Sequence, residues 1–176
     1  MVSKISAAIV VTANDRMEVW RPGYVIVRDG LVVEAGPGPG PDGDFAEIVN
    51  LPDGILMPGL VNAHAHSPSN LLKGVWAQLP LEIWRQHIRA GWREYSDEAI
   101  YVSAQIGLVE MIRTGCTSVM DHFYTGSPSP YMGALHAVAA MTDAGFRGGL
   151  ALTLTDQSYD TTVGMDTSTL SQAARD

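Results

Sequence analysis

The stretch Met57-Pro58-Gly59-Leu60-Val61-Asn62-Ala63-His64-Ala65-His66 decides the reading of this chain. Pro58-Gly59 breaks whatever precedes it, and Leu60–Ala63 is a short apolar run of strand length. Two histidines two residues apart close that run. On a strand, residues i and i+2 point to the same face, about 6.6 Å apart along it. At the strand's C-terminal end two imidazoles can converge on one ion, each at about 2.0–2.1 Å. Neutral imidazole suits zinc, nickel, copper or iron. The residues alone leave two readings open: a metal pair, or two histidines satisfied by hydrogen bonds at a strand end.

Downstream, helical spacing is expected over Leu81–Tyr95 and Asp97–Thr114, the latter ended by Gly115. Thr117–Met120 reads as a strand, Tyr131–Ala144 as a helix ended by Gly145, and Gly149–Leu154 as a strand. Strands alternating with helices of this length imply βαβ units and a parallel sheet. The tail, Thr161–Asp176, is rich in Thr and Ser with a weak helical end. Upstream the pattern is all-β. Lys4–Thr12 is apolar and β-branched, and Tyr24–Arg28 and Leu31–Ala35 flank Asp29-Gly30, a hairpin signal. The run Gly36-Pro37-Gly38-Pro39-Gly40-Pro41-Asp42-Gly43 is expected to hold neither helix nor sheet ladder. A brief strand, Glu47–Leu51, then leads to a turn at Pro52-Asp53-Gly54. The chain therefore divides into a β part, residues 1–57, and an α/β part, residues 58–176.

At 176 residues, 46% of them hydrophobic, the chain is long and apolar enough to bury a core, which excludes general disorder. No apolar run reaches membrane-spanning length, and the N-terminus has no cleavable apolar block. The single cysteine, Cys116, forms no internal disulfide, so a cytoplasmic location is expected. The net charge of −8, with no basic stretch, argues against nucleic acid and anionic membrane as partners.

Asp121-His122 follows the second α/β strand and is placed at the same rim as His64 and His66. His122 can face a substrate or orient a water. Asp121 can hold a histidine by its second nitrogen. The plainer alternative makes Asp121 the cap of a turn and leaves His122 solvated. His87 and His136 fall inside helices and read as surface or packing residues. Cys116 reads as a small core residue, and Trp76, Trp84 and Trp92 as packing anchors.

Taken together, the Asp-Gly hairpin, the block Leu51–Gly74 (LPDGILMPGLVNAHAHSPSNLLKG) and the block Gly107–Tyr124 (GLVEMIRTGCTSVMDHFY) resemble the N-terminal portion of the amidohydrolase superfamily. The nearest branch is the deaminase and chlorohydrolase one, with adenosylhomocysteine and 8-oxoguanine deaminases and triazine hydrolases. The resemblance covers about residues 4–155. It implies an α/β fold: the first three or so units of a (β/α)8 TIM-like barrel, preceded by part of a small β-sandwich. It implies that His64 and His66 are metal ligands for one divalent ion, zinc before iron. It implies that Asp121 and His122 line the substrate pocket. The activity implied is metal-dependent hydrolysis of a non-peptide carbon–nitrogen bond, the deamination of a purine, pyrimidine or triazine. The partners implied are a small-molecule substrate and, for the complete enzyme, further copies of itself.

The family completes its site with histidines after strands five and six, an aspartate after strand eight and a glutamate near the strand-five histidine. None of these has a place in residues 1–176, so no catalytic residue is assigned. The sequence is expected to be a fragment, inactive by itself. Three rival readings remain: a chlorohydrolase, a relative with two metals bridged by a carboxylated lysine, and a non-catalytic metal- or partner-binding module.

Overall fold

The structure, a computed structural model, describes residues 1–124 and 130–153. The expected tail and Leu154 lie outside the described residues. The chain separates into two compact units, the first Met1–Gly59 and the second beginning at Leu60.

The first unit is one five-stranded sheet. Its strands are β1 (Val2–Val11), β2 (Val19–Trp20), β3 (Gly23–Arg28), β4 (Leu31–Pro37) and β5 (Glu47–Leu56). The hairpin joining β3 to β4 forms as expected, with antiparallel pairing from Arg28↔Leu31 outward. Its two turn residues are both left-handed, Asp29 at φ 51° and Gly30 at φ 82°. That is the two-residue turn whose twist matches a hairpin, and it is why Asp-Gly is selected there. β2 has no counterpart in the sequence reading, since a strand of two residues carries no periodicity.

Two expectations are corrected. The first two residues of the Gly-Pro run enter the ladder, Gly36 pairing with Tyr24 and Pro37 with Gly23, while residues 38–43 hold neither helix nor strand. At the end of a strand a proline can stand without donating a ladder hydrogen bond. The turn expected at Pro52-Asp53-Gly54 is instead part of β5, which runs parallel to β1 through a register shift. Between Ala7↔Leu51 and Ile9↔Ile55, β5 advances farther than β1. The bulge takes up the proline and glycine without ending the strand.

The second unit is α/β. Its sheet is parallel, in the order β6 (Leu60–Ala65), β7 (Cys116–Phe123), β8 (Arg147–Leu152). A 3-10 helix, Ser67–Leu72, and two α-helices, α1 (Leu81–Arg93) and α2 (Asp97–Arg113), lie between β6 and β7; α3 (Pro130–Asp143) lies between β7 and β8. Ile100, Ala104 and Leu108 recur every fourth residue of α2 and meet Ala134, Ala137, Ala140 and Met141 of α3 over Val119 and Phe123 of β7. The alanines let the two helices come close, and the apolar stripe explains why the helical period was readable. Among the described residues no helix is long and apolar enough to cross a membrane.

α2 starts at a cap that the sequence supplies directly. Ser96 is extended, at φ −72° and ψ 164°, and its side chain accepts the Ala99 N–H at 3.2 Å, with Asp97 and Glu98 in the first turn. Ser96→Ala is expected to cost about 1 kcal/mol in urea unfolding, with Ser96→Gly costing only a few tenths.

Candidate functional site

The site is built where β6 ends. A regular strand would turn Asn62, His64 and His66 to one face. The pairing of β6 with β7 is irregular between Asn62↔Val119 and Ala65↔Asp121, so one extra residue sits on β6. Asn62 and Ala65 both line a cavity on the helix side of the sheet, which leaves His64 and His66 for the opposite face. The Asn62 side chain secures this bend: its Oδ1 accepts the His64 N–H at 3.2 Å.

The two imidazoles meet. His64 Nε2 and His66 Nε2 lie 3.1 Å apart, with the rings edge to face. Two nitrogens bound tetrahedrally to one zinc at 2.0–2.1 Å would lie about 3.3 Å apart, so the pair fits a single ion. The His66 tautomer follows from its other nitrogen. Nδ1 lies 2.6 Å from the His122 carbonyl oxygen, which can only accept, so Nδ1 carries the proton and Nε2 keeps its lone pair. Both histidine side chains are exposed, as a site open to ligand requires. Among the described residues no third His, Cys, Asp or Glu joins them in a potential metal site.

β7 extends to Phe123, so Asp121 and His122 lie inside a strand and point to opposite faces. His122 stacks on His64 with ring centroids 4.3 Å apart and an interplanar angle of 27°. Asp121 turns to the helix side at 1% exposure, where its Oδ1 accepts the Ser67 N–H at 3.0 Å. The two residues expected to share one rim are therefore separated, and only His122 reaches the histidine pair. The nitrogen that Asp121 was expected to hold is taken by the His122 carbonyl. Burial pushes the Asp121 carboxyl up from its ordinary value, against the pull of the Ser67 hydroxyl first and the Ser67 N–H second.

Sequence reasoning missed the groups behind the site. Ser103 Oγ donates to the Ser67 carbonyl at 2.7 Å and accepts the Leu71 N–H at 3.2 Å. Asn70 Nδ2 lies 3.0 Å from both the Ser67 and the Ser103 carbonyl oxygens. Gly107, one turn along α2, leaves the space that Asn70 occupies; a Cβ there would collide with its amide. The available signal was Ser103 itself, a polar residue on the face of α2 that carries Ile100 and Ala104. Past the end of β7, Tyr124 packs against Trp92 at 5.3 Å, with the Arg89 guanidinium 5.6 Å from its ring. His87 and His136 take helix roles: His87 Nδ1 lies 2.9 Å from the Ile83 carbonyl, and His136 pairs with Asp97 at 3.2 Å. Cys116 is free and partly buried.

Comparison with known proteins follows the same lines. The profile of the Amidohydrolase family matches residues 55–174. A 5-methylthioadenosine/S-adenosylhomocysteine deaminase of Bacillus cytotoxicus is 35% identical over 124 residues, which covers 66% of this chain and 27% of that protein. The enzyme of the same name from Shouchella clausii is 31% identical over 152 residues, covering 83% of this chain and 33% of its own length. This chain thus spans about a quarter to a third of the curated relatives it matches. Among solved structures, an adenosine deaminase from Xanthomonas campestris with bound zinc superposes at a TM-score of 0.70 and 30% identity, over 83% of this chain and 32% of that one. A mutant of atrazine chlorohydrolase from Arthrobacter aurescens, complexed with zinc and atraton, superposes at a TM-score of 0.78 and 20% identity, over 85% and 35%. At that identity the likeness is one of fold.

Proposed function

This chain belongs to the amidohydrolase family, and from that membership we propose that it serves the hydrolytic deamination of an aminated heterocycle, with His64 and His66 holding one divalent metal. The observation that carries the reading is the 3.1 Å approach of the two Nε2 atoms, with the His66 proton fixed on the far side of its ring. Zinc is the first candidate, as the ion in the adenosine deaminase of similar fold, and iron the second. The deaminase relatives direct the substrate toward adenine-type purines.

In this reading residues 1–57 are the N-terminal share of a small β-sandwich, and residues 58–176 are the first three or so units of a (β/α)8 barrel. The parallel order β6-β7-β8, with helices between the strands, supports the second assignment. So does the location of the histidines at the C-terminal end of β6, the end that carries active sites in such barrels.

A metal held there would supply a strong nucleophile from water at neutral pH. The chain's own residues do the positioning. His66 keeps its lone pair in the site because its Nδ1–H is held by the His122 carbonyl. His122 braces His64 by stacking and presents its own ring at the same face, where it can meet a substrate. Asn62 fixes the backbone that aims His64.

The test is an ammonia-release assay with aminopurines, aminopyrimidines and aminotriazines. It is run with zinc on this chain and on the longest reading frame that contains it. From the longer frame the expected result is ammonia from one substrate class, abolished by a chelator and restored by zinc; from this chain by itself none is expected. Chloride release from a chlorotriazine with no ammonia from any amine would overturn deamination in favour of dehalogenation.

A further inference from the structure

We propose that Asp121 is a positioning residue for His66, acting through the backbone of Ser67; the inference rests on the metal reading above. Ser67 directly follows the histidine, and both of its backbone polar groups are held by side chains of other elements. Its N–H donates to Asp121 Oδ1 of β7 at 3.0 Å, and its carbonyl accepts from Ser103 Oγ of α2 at 2.7 Å. Ser67 is 7% exposed and Asp121 1%, so both bonds lie in the interior, where they are directional and costly to leave unmade. The backbone of Ser67 therefore has little freedom, and neither has the peptide that joins it to His66.

β7 reaches the same histidine a second time. The His122 carbonyl, one residue on from Asp121, holds the His66 ring at 2.6 Å. One strand thus grips both the ring of His66 and the peptide that follows it. These grips set where Nε2 stands relative to His64, whose own backbone is held separately by Asn62. A shift of the His66 backbone carries its Nε2 away from the 3.1 Å approach to His64 that lets both nitrogens serve one ion.

A carboxylate is a poor choice for packing alone. Neither Asp121 Oδ2 nor Ser67 Oγ has a well-formed hydrogen bond among the described residues, although the Ser67 hydroxyl does draw on the carboxylate. Val119, Ala104 and Leu108 line the same cavity as Asp121, and an apolar side chain there would avoid burying an unsatisfied polar atom. Polar residues kept at such a cost are expected where a site depends on them. Asp121 and Ser67 also line a cavity of about 110 Å³. That volume admits water, so a variant lacking the carboxylate can hydrate the Ser67 N–H and stay folded, while the fixed direction of that bond is lost.

The test is zinc titration of the chain, followed by the ring-nitrogen NMR shifts of His64 and His66, with a melting curve for each variant. D121A and D121L both remove the acceptor; leucine keeps the branched shape but is larger and alanine is smaller, so either folded variant decides. Both are expected to weaken zinc binding about tenfold or more, the usual cost of losing a residue that orients a metal ligand. D121N keeps an oxygen for the Ser67 N–H and is expected to stay within about threefold of the parent. V119A loses packing on the same face of β7, so its melting temperature falls, yet its zinc affinity is expected to hold. Parental affinity in D121A or D121L overturns the inference, and so does an equal loss in V119A, which would make the effect one of stability. H66A separates the two readings: if it binds zinc like the parent, the metal assignment falls and this inference with it. If H66A loses zinc while D121A and D121L keep it, only the positioning role falls.

Discussion

Zinc binding is expected to weaken by more than about a hundredfold when His66 is replaced by alanine, because losing even a residue that orients a ligand costs 10–100-fold. The same loss is expected for His64→Ala. Each histidine supplies one of the two nitrogens that meet at 3.1 Å, and a single imidazole has little hold on an ion in water. The measurement is competition against a chromophoric chelator at neutral pH, with protein and zinc at equal concentration. His87→Ala is the control. That histidine bonds to the Ile83 carbonyl within its own helix and packs against Trp76 at 5.3 Å, so its removal is expected to leave zinc affinity unchanged. Equal zinc binding by H66A, H64A and the parent would sink the metal assignment.

The second large effect concerns the layer behind the site. Phe123→Ala is expected to cost about 3–5 kcal/mol, read as a lower midpoint in urea unfolding. Phe123 is 1% exposed and sits on the same face of β7 as Val119 and Asp121, within the apolar cluster of α2 and α3. Its loss opens a cavity that those helices cannot fill without sliding. Met120→Ala, on the other face and 43% exposed, is expected to change stability by no more than about 0.5 kcal/mol. Comparable losses in the two variants would mean that β7 does not separate a packed face from an open one.

The contrast between Phe123 and Met120 shows which parts of the fold were legible beforehand. α1, α2 and α3 were readable because their apolar residues recur at helical spacing. The β3–β4 hairpin was readable because Asp29-Gly30 meets a local steric demand for left-handed residues. Gly36-Pro37 and Pro52-Asp53-Gly54 were misread, while residues 38–43 do leave the sheet, because turn residues signal a break whether the chain leaves the sheet or only bulges within it. Leu51 and Ile55 remain in one ladder because β1 lies alongside to pair with them, and a partner distant in sequence leaves no local mark.

The same division runs through the site. The spacing of His64 and His66 at the end of an apolar run named the metal candidates without any coordinates, since two residues on one strand share a face by geometry alone. The extra residue between Asn62 and Ala65, which turns Asn62 away from them, depends on pairing with β7 more than fifty residues on. As neighbours in the sequence, Asp121 and His122 were placed at one rim. Once β7 continued through both, strand alternation sent His122 to the histidines and Asp121 to the helices. Ser67, Asn70, Ser103 and Gly107 carried no motif, because their bonds cross separations of up to 54 residues. Local chemistry named the candidate ligands, through periodicity and turn preference. Their aim was decided by strand pairing and buried hydrogen bonds, which exist only after distant segments have come together.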